Sequence, residues 1–381
     1  MCSTMNLSFT WAIPGGIVLL LGLISSAIFI ITSKDLKNTT SNINLCIVLG
    51  FLCLILIFLF PQFSVGAIRY FSLWLCSCSI ILLPPDKKQK LLSIFTTGTV
   101  AIVTISLPAW ILYLLGFPLP HGDTFLYENG FHHLTNYNFF LLNGAPGEQL
   151  IPRFTGMFLE PGQLATPCAF LIFANECNFK KIKVVILALA VLFSFSLIGY
   201  GILIGGLLLD SFLTARKHRF LIAIFLLLFI SVFTILSIQK GNEDNPFYSL
   251  IISRLEYSDE KGITGNNRTT AFFDVRYEQM MDSSDKYFGI AKEIDRDNDW
   301  TSNTSGVKKF ILMYGLVSLC LLSIFFLMLF VNNRCVKSFV FVVVVVVGFF
   351  PRSMLLSPYW LFICLTAIPV LKWRTAINLK K

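Results

Sequence analysis

Apolar runs long enough to cross a bilayer recur from one end of this chain to the other. A helix needs about 20 apolar residues to span a hydrocarbon core of ~30 Å. Inside that core every backbone N–H and C=O must be satisfied within the segment itself, or within a closed barrel. Runs of this length and continuity leave the helical solution, so the expected class is an all-α polytopic integral membrane protein. Composition agrees. The chain is 55% hydrophobic and 13% charged, against about 25% charged in a soluble domain.

Eleven apolar segments can be marked, at 11–32, 43–60, 63–83, 91–117, 163–175, two within 182–213, 219–238, 308–331, 336–350 and 354–371. They form one membrane domain over residues 1–381. The stretch 182–213 has the length of about 48 Å as one helix, too long for a single crossing. Basic clusters flank it at both ends: Lys180, Lys181 and Lys183 before, Arg216, Lys217 and Arg219 after. Two short or re-entrant segments turning around Ser194–Tyr200 put both clusters on one side, and Gly199 and Gly201 favour a turn there.

With that turn the positive-inside rule is satisfied throughout. More than half of the 30 Lys and Arg fall in the loops assigned to the inside, with few acids among them. The leader MCSTMNLSFT is uncharged, unlike the basic start of a secretory signal. The first segment is therefore read as a retained span, with the N-terminus outside and the C-terminus inside. The net charge of +9 follows this topology, and no nucleic-acid partner is expected. Most of the ten cysteines lie within apolar runs and form no disulfide framework. Two long loops remain on the outer face, 118–162 and 239–307. Long loops in compact proteins are commonly binding or catalytic. No internal repeat is visible, which argues against the duplicated architecture of many transporters.

Chemistry-bearing residues gather on that outer face. Residues 153–162 read RFTGMFLEPG. Arg153 can clamp an anion, and Glu160, just before Pro161, can act as a base at a helix N-terminus. The plainer alternative is a helix cap with an interfacial Arg anchor. The second loop carries Arg254, Arg268 and Arg276. If its segment FFDVRYEQMM is an amphipathic surface helix, Arg268 and Arg276 share a face, and arginine forks bind phosphate bidentately. The alternative there is pairing with Asp274, Glu278 and Asp282. Arg69 lies inside the third span, either snorkelling outward or lining a cavity. His133, with His121 and His132, offers a second proton acceptor in the first loop. Asp295, Asp297 and Asp299 lack the glycine and glutamate of a calcium loop, so no metal is expected there.

The segment RFTGMFLEPGQLA resembles the R-F-x-G-x-F-x-E-P stretch of bacterial O-antigen and exopolysaccharide polymerases of the Wzy type, and of the related O-antigen ligases. The layout of many spans and one large late periplasmic loop is also similar. Arg268 and Arg276 followed by Tyr287-Phe288-Gly289-Ile290 resemble the family's late-loop pattern of arginines before an "fGiG" motif. The resemblance implies a glycosyltransferase of the bacterial inner membrane with its active site facing the periplasm. Its substrate would be an undecaprenyl-pyrophosphate-linked oligosaccharide, polymerised with inversion and no cofactor, alongside a chain-length regulator protein. On this reading Arg153 and Arg276 serve catalysis with Glu160, and Arg69, Arg254, Arg268 and His133 bind substrate. Ligases of this group use a late-loop histidine, and 239–307 contains none, which favours polymerase over ligase. A flippase or other transporter is the more distant alternative.

Overall fold

The computed structural model describes residues 15–32, 36, 39–127, 132–146, 152–214, 257–258, 262–263, 270–294, 306–352 and 354–378. The apolar segment at 219–238, Arg254, Arg268 and Asp295 to Asp299 lie outside the described residues.

The described chain is predominantly helical: α1 (Gly15–Thr32), α2 (Thr40–Leu59), α3 (Phe63–Leu82), α4 (Pro85–Leu114), α5 (Pro161–Ala174), α6 (Ile182–Phe193), α7 (Leu197–Thr214), α8 (Ala271–Asp282), α9 (Val307–Asn332), α10 (Val336–Phe349) and α11 (Pro358–Asn378). Six of these are long and apolar enough to cross a membrane: α2, α3, α4, α7, α9 and α11. Their outer faces have the matching chemistry. On α2, Ile43, Ile47, Phe51, Leu54 and Phe58 form an exposed stripe at helical spacing, while Leu45, Leu49, Leu52 and Leu56 face inward. Exposed apolar stripes of that extent belong against lipid rather than water. The architecture is that of a multi-pass α-helical membrane protein.

α5 is the hub. All its residues except Gln163 are buried, and it packs against α6, α7, α10 and α11. A helix apolar on every face has to be surrounded. α5, α6 and α10 are shorter than a full span, so they reach only part of the way through the bundle.

The α6–α7 hairpin turns where chain length requires it, but not through the glycines. The break is Ser194–Ser196, and Phe195 takes the positive φ of 46°. Ser194 and Ser196 side chains accept from the backbone N–H of Ser196 and Gly199. Gly199 sits inside α7, where an added Cβ would lie 2.7 Å from Ala165 Cβ. Its smallness serves packing on α5.

Charged residues from distant segments meet at one end of the bundle. Glu176 pairs with Lys337 and Arg374, and Arg374 also donates to Gln89 Oε1 and Ala174 O. Lys372 donates to Asn332 O. α11 reaches this cluster because it runs to Asn378, seven residues past the apolar stretch ending at 371. α4 starts at Pro85 rather than 91, because Pro85 and Asp86 suit a helix first turn regardless of hydropathy.

The first long loop is not irregular. It holds a three-stranded antiparallel sheet of β1 (Thr124–Tyr127), β2 (His132–Asn136) and β3 (Leu141–Asn143), in register Thr124↔Thr135 and Thr135↔Leu142. The fold therefore departs from purely α. In the second loop, β4 (Tyr257–Ser258) pairs β5 (Gly262–Ile263). α8 buries Phe273 and Met280 against Ile311 and Leu312 of α9, so this face of the helix covers protein rather than bilayer.

α9 is not one straight rod. Gly315 has φ 73° and ψ 176°, a conformation that breaks the helix. The turn after α8 fills the break. Ile290 N–H donates to Leu312 O at 2.8 Å, and Gly289, with φ 74°, lies against Met313.

Candidate functional site

The stretch RFTGMFLEPG divides into a buried middle and two charged flanks. Phe154 and Phe158 are fully buried. Phe154 packs at a tilt against the ring of Trp110 of α4, and its N–H donates to Phe193 O at the end of α6. The buried Thr155 hydroxyl donates to Leu141 O of β3, and Leu141 N–H returns a bond to Gly156 O at 2.7 Å. Gly156 supplies the positive φ of 56° that this turn requires. The middle therefore fastens the first loop to α4, α6 and the sheet. Arg153 is half-buried at one flank.

Glu160 is the other flank and the N-cap position of α5. Its side chain does not cap the helix. It accepts instead from Nη2 of Arg352, in the connection between α10 and α11. The two side chains are 27% and 12% exposed, so the pair is well removed from water. Gly162 makes room for it. A Cβ there would lie 2.6 Å from Nη2 and 2.7 Å from Nε of Arg352. That Nε is buried and without a hydrogen-bond partner among the described residues.

Beside this pair is a cavity of about 290 Å³ lined by Arg69, Gln163, Tyr314, Ser357, Trp360 and others. Gln163 is in the first turn of α5, Phe310 and Tyr314 near the start of α9, and Tyr359 and Trp360 in the first turn of α11. The positive ends of several helix dipoles thus face one space. Tyr70 of α3 and Tyr314 of α9 share a hydroxyl hydrogen bond of 2.9 Å. The guanidinium of Arg69 lies over the rings of Tyr70 and Phe60, at 5.6 and 6.0 Å from their centroids. Among the described residues no carboxylate lines the cavity.

The same connection that carries Arg352 builds one wall. Met354 N–H donates to Arg352 O at 2.7 Å, and Ser357 N–H to Met354 O at 2.8 Å. Phe350 O accepts from Val307 N–H, holding the start of α9 to it. Arginine forks match phosphate oxygens bidentately, and aromatic rings offer flat apolar faces beside polar handles. A cavity of this kind can hold an anion beside flat apolar faces.

The expected residues are placed unequally. Arg69 lines the cavity, and Glu160 lies beside it through Arg352. Arg276 is on the exposed surface of α8, 3.5 Å from Gln279 and stacked on Phe272. It is not among the cavity residues. Asp274, a proposed partner for it, pairs with Lys308 at 3.0 Å. His133 is exposed on β2 and lines no part of the cavity, and His121 stacks on Tyr137. The helix begins at Ala271, with Thr270 as its N-cap, and Arg268 lies outside the described residues.

Arg352 was missed by sequence reasoning. Its signal was present: a lone charge in the apolar stretch FFPRSMLL, the same criterion that singled out Arg153. Tyr70, Tyr314 and Trp360 gave no such signal in a chain with 38 Phe, 11 Tyr and 6 Trp. Comparison of the chain with family models, curated proteins and solved structures found no match.

Proposed function

We propose that this protein is a polymerase joining polyprenyl-pyrophosphate-linked oligosaccharide repeat units into a surface polysaccharide, acting at the outer face of the bacterial inner membrane. The observation that carries this reading is the cavity bearing Arg69 and aromatic walls, lined by no carboxylate among the described residues, near the Arg352–Glu160 pair. It lies next to the RFTGMFLEPG stretch that resembles such polymerases.

A hydroxyl oxygen of one repeat unit bonds to the anomeric carbon of the growing chain. The anomeric C–O bond to pyrophosphate breaks, and its electron pair leaves with the phosphate oxygen. The hydroxyl proton passes to a base, and Glu160, between the cavity-lining Phe158 and Gln163 in sequence, is the candidate. Attack from the face opposite the leaving group inverts the anomeric centre. Arg69 and Arg153 stabilise the charge that develops on the departing pyrophosphate, and Arg276 and Arg268 guide the anionic lipid from the second loop.

The reading is tested by deleting the gene and examining the lipopolysaccharide. A polymerase predicts a single repeat unit on the lipid A core in place of a ladder. Accumulation of long lipid-linked polymer with a bare core would assign the protein as a ligase instead.

A further inference from the structure

The Arg352–Glu160 pair is built unlike a purely structural salt bridge. Nη2 of Arg352 engages Oε2 of Glu160, while Nε of the same guanidinium is buried with no partner among the described residues. A buried donor without an acceptor is costly, so its position needs a reason. The guanidinium lies flat over the first turn of α5, in space left open because residue 162 has no side chain. The residue after it, Gln163, lines the cavity, and so do Met354 and Ser357, one and two backbone hydrogen bonds along the chain from Arg352. Within the cavity Arg69 has no carboxylate partner among the described residues. An anion bound there meets the Arg69 guanidinium, and Arg352, which does not itself line the cavity, belongs to the connection whose Met354 and Ser357 do.

We propose that Arg352 is a phosphate-binding residue held in reserve by Glu160, and that an arriving pyrophosphate group takes its guanidinium from that carboxylate. A phosphate offers two oxygens in the spacing of the arginine fork and carries more charge than a carboxylate. The exchange satisfies the orphan Nε and breaks the Arg352–Glu160 contact only when the leaving group is in place. This rests on the glycosyl-pyrophosphate reading of the cavity. It adds to that reading a residue, Arg352, and an order of events.

The exchange has a signature in binding that does not depend on turnover. Purified full-length protein in lipid nanodiscs is titrated calorimetrically with inorganic pyrophosphate and, separately, with farnesyl pyrophosphate. Because Glu160 competes with the anion, Glu160→Gln should bind more tightly than wild type, by about three- to tenfold. Arg352→Ala should bind at least roughly tenfold more weakly, Arg352→Lys in between, and the double variant like Arg352→Ala. Gains confined to farnesyl pyrophosphate identify a lipid headgroup as the ligand, and equal gains with both probes identify a free anion; either supports the exchange. Glu160→Gln binding no better than wild type, with an unchanged melting temperature, overturns it. So does Arg352→Ala binding as wild type, or no binding of either probe to any form. A protein that shows the exchange but makes no polymer would sink the polymerase reading alone. One that polymerises without the exchange would sink the present inference alone.

Discussion

Arg352 donates to Glu160 across 192 positions of the chain, joining the connection between α10 and α11 to the residue that starts α5. Both side chains are mostly buried. Removing Arg352 takes from the Glu160 carboxylate a charged hydrogen-bond donor in a largely buried place. Arg352→Ala should therefore cost about 1.5–3 kcal/mol of stability, read as a lowered melting temperature in detergent. Replacing both at once, Glu160→Gln with Arg352→Gln, should cost less than the sum of the single changes. Additive losses would mean that the two groups do not interact.

Gly162 is the spacer that lets Arg352 lie where it does. An alanine Cβ would meet the far end of that side chain at 2.6 to 2.8 Å. The end of an arginine can move, so Gly162→Ala should still fold, losing no more stability than Arg352→Ala. Activity should nevertheless fall toward that of Arg352→Ala, because the guanidinium is pushed from its seat. Full activity in a folded Gly162→Ala protein would remove the geometric basis for the pair.

The break in α9 is locked by backbone against backbone. A Cβ at Gly315 would lie 2.2 Å from Tyr287 O, and its φ and ψ fall where essentially only glycine is found. Gly201 of α7 has open space around it. Gly315→Ala should thus destabilise by more than about 2 kcal/mol, while Gly201→Ala should be neutral or stabilising by up to about 1 kcal/mol. Equal thermal shifts in the two variants would contradict the interlock. Because Tyr314 precedes the break and meets Tyr70, Gly315→Ala should also loosen the cavity wall.

Orientation is open to direct labelling. Asn138 is exposed beside the sheet, and Lys180 is exposed near the Glu176 cluster at the opposite end of the bundle. In a background whose native cysteines are replaced by serine or alanine, Asn138→Cys should react with a membrane-impermeant maleimide from the periplasmic side. Lys180→Cys should react only after the inner membrane is opened. The reverse pattern would invert the topology and put the cavity on the cytoplasmic face.

Much of the helix layout was legible in the sequence, and for a simple reason. Hydropathy reports the solvent around a segment, and length reports how often it can cross, so the turn near Ser194 followed from the excess length of 182–213. The break at Gly315 was not legible, since a single glycine in an apolar run is also common within straight helices. The role of Gly289 depends on where Met313 lies, which no local pattern contains. The sheet in the first loop escaped notice because its strands are only three to five residues long. At the candidate site, Glu160 and Arg153 stood out as charges at a helix mouth. The pairing of Glu160 with Arg352 required the tertiary fold, because α5 and the α10–α11 connection meet only through packing.

The most direct test of the account is polymerisation by the purified protein. It should convert a polyprenyl-pyrophosphate-linked oligosaccharide into longer chains, releasing one polyprenyl pyrophosphate per linkage. Arg69→Ala and Arg352→Ala should each lower that rate by about 10²-fold or more while remaining folded, as expected for groups that stabilise leaving-group charge. Polymer formed at the wild-type rate by both variants, or no lipid pyrophosphate released by the wild-type protein, would contradict it.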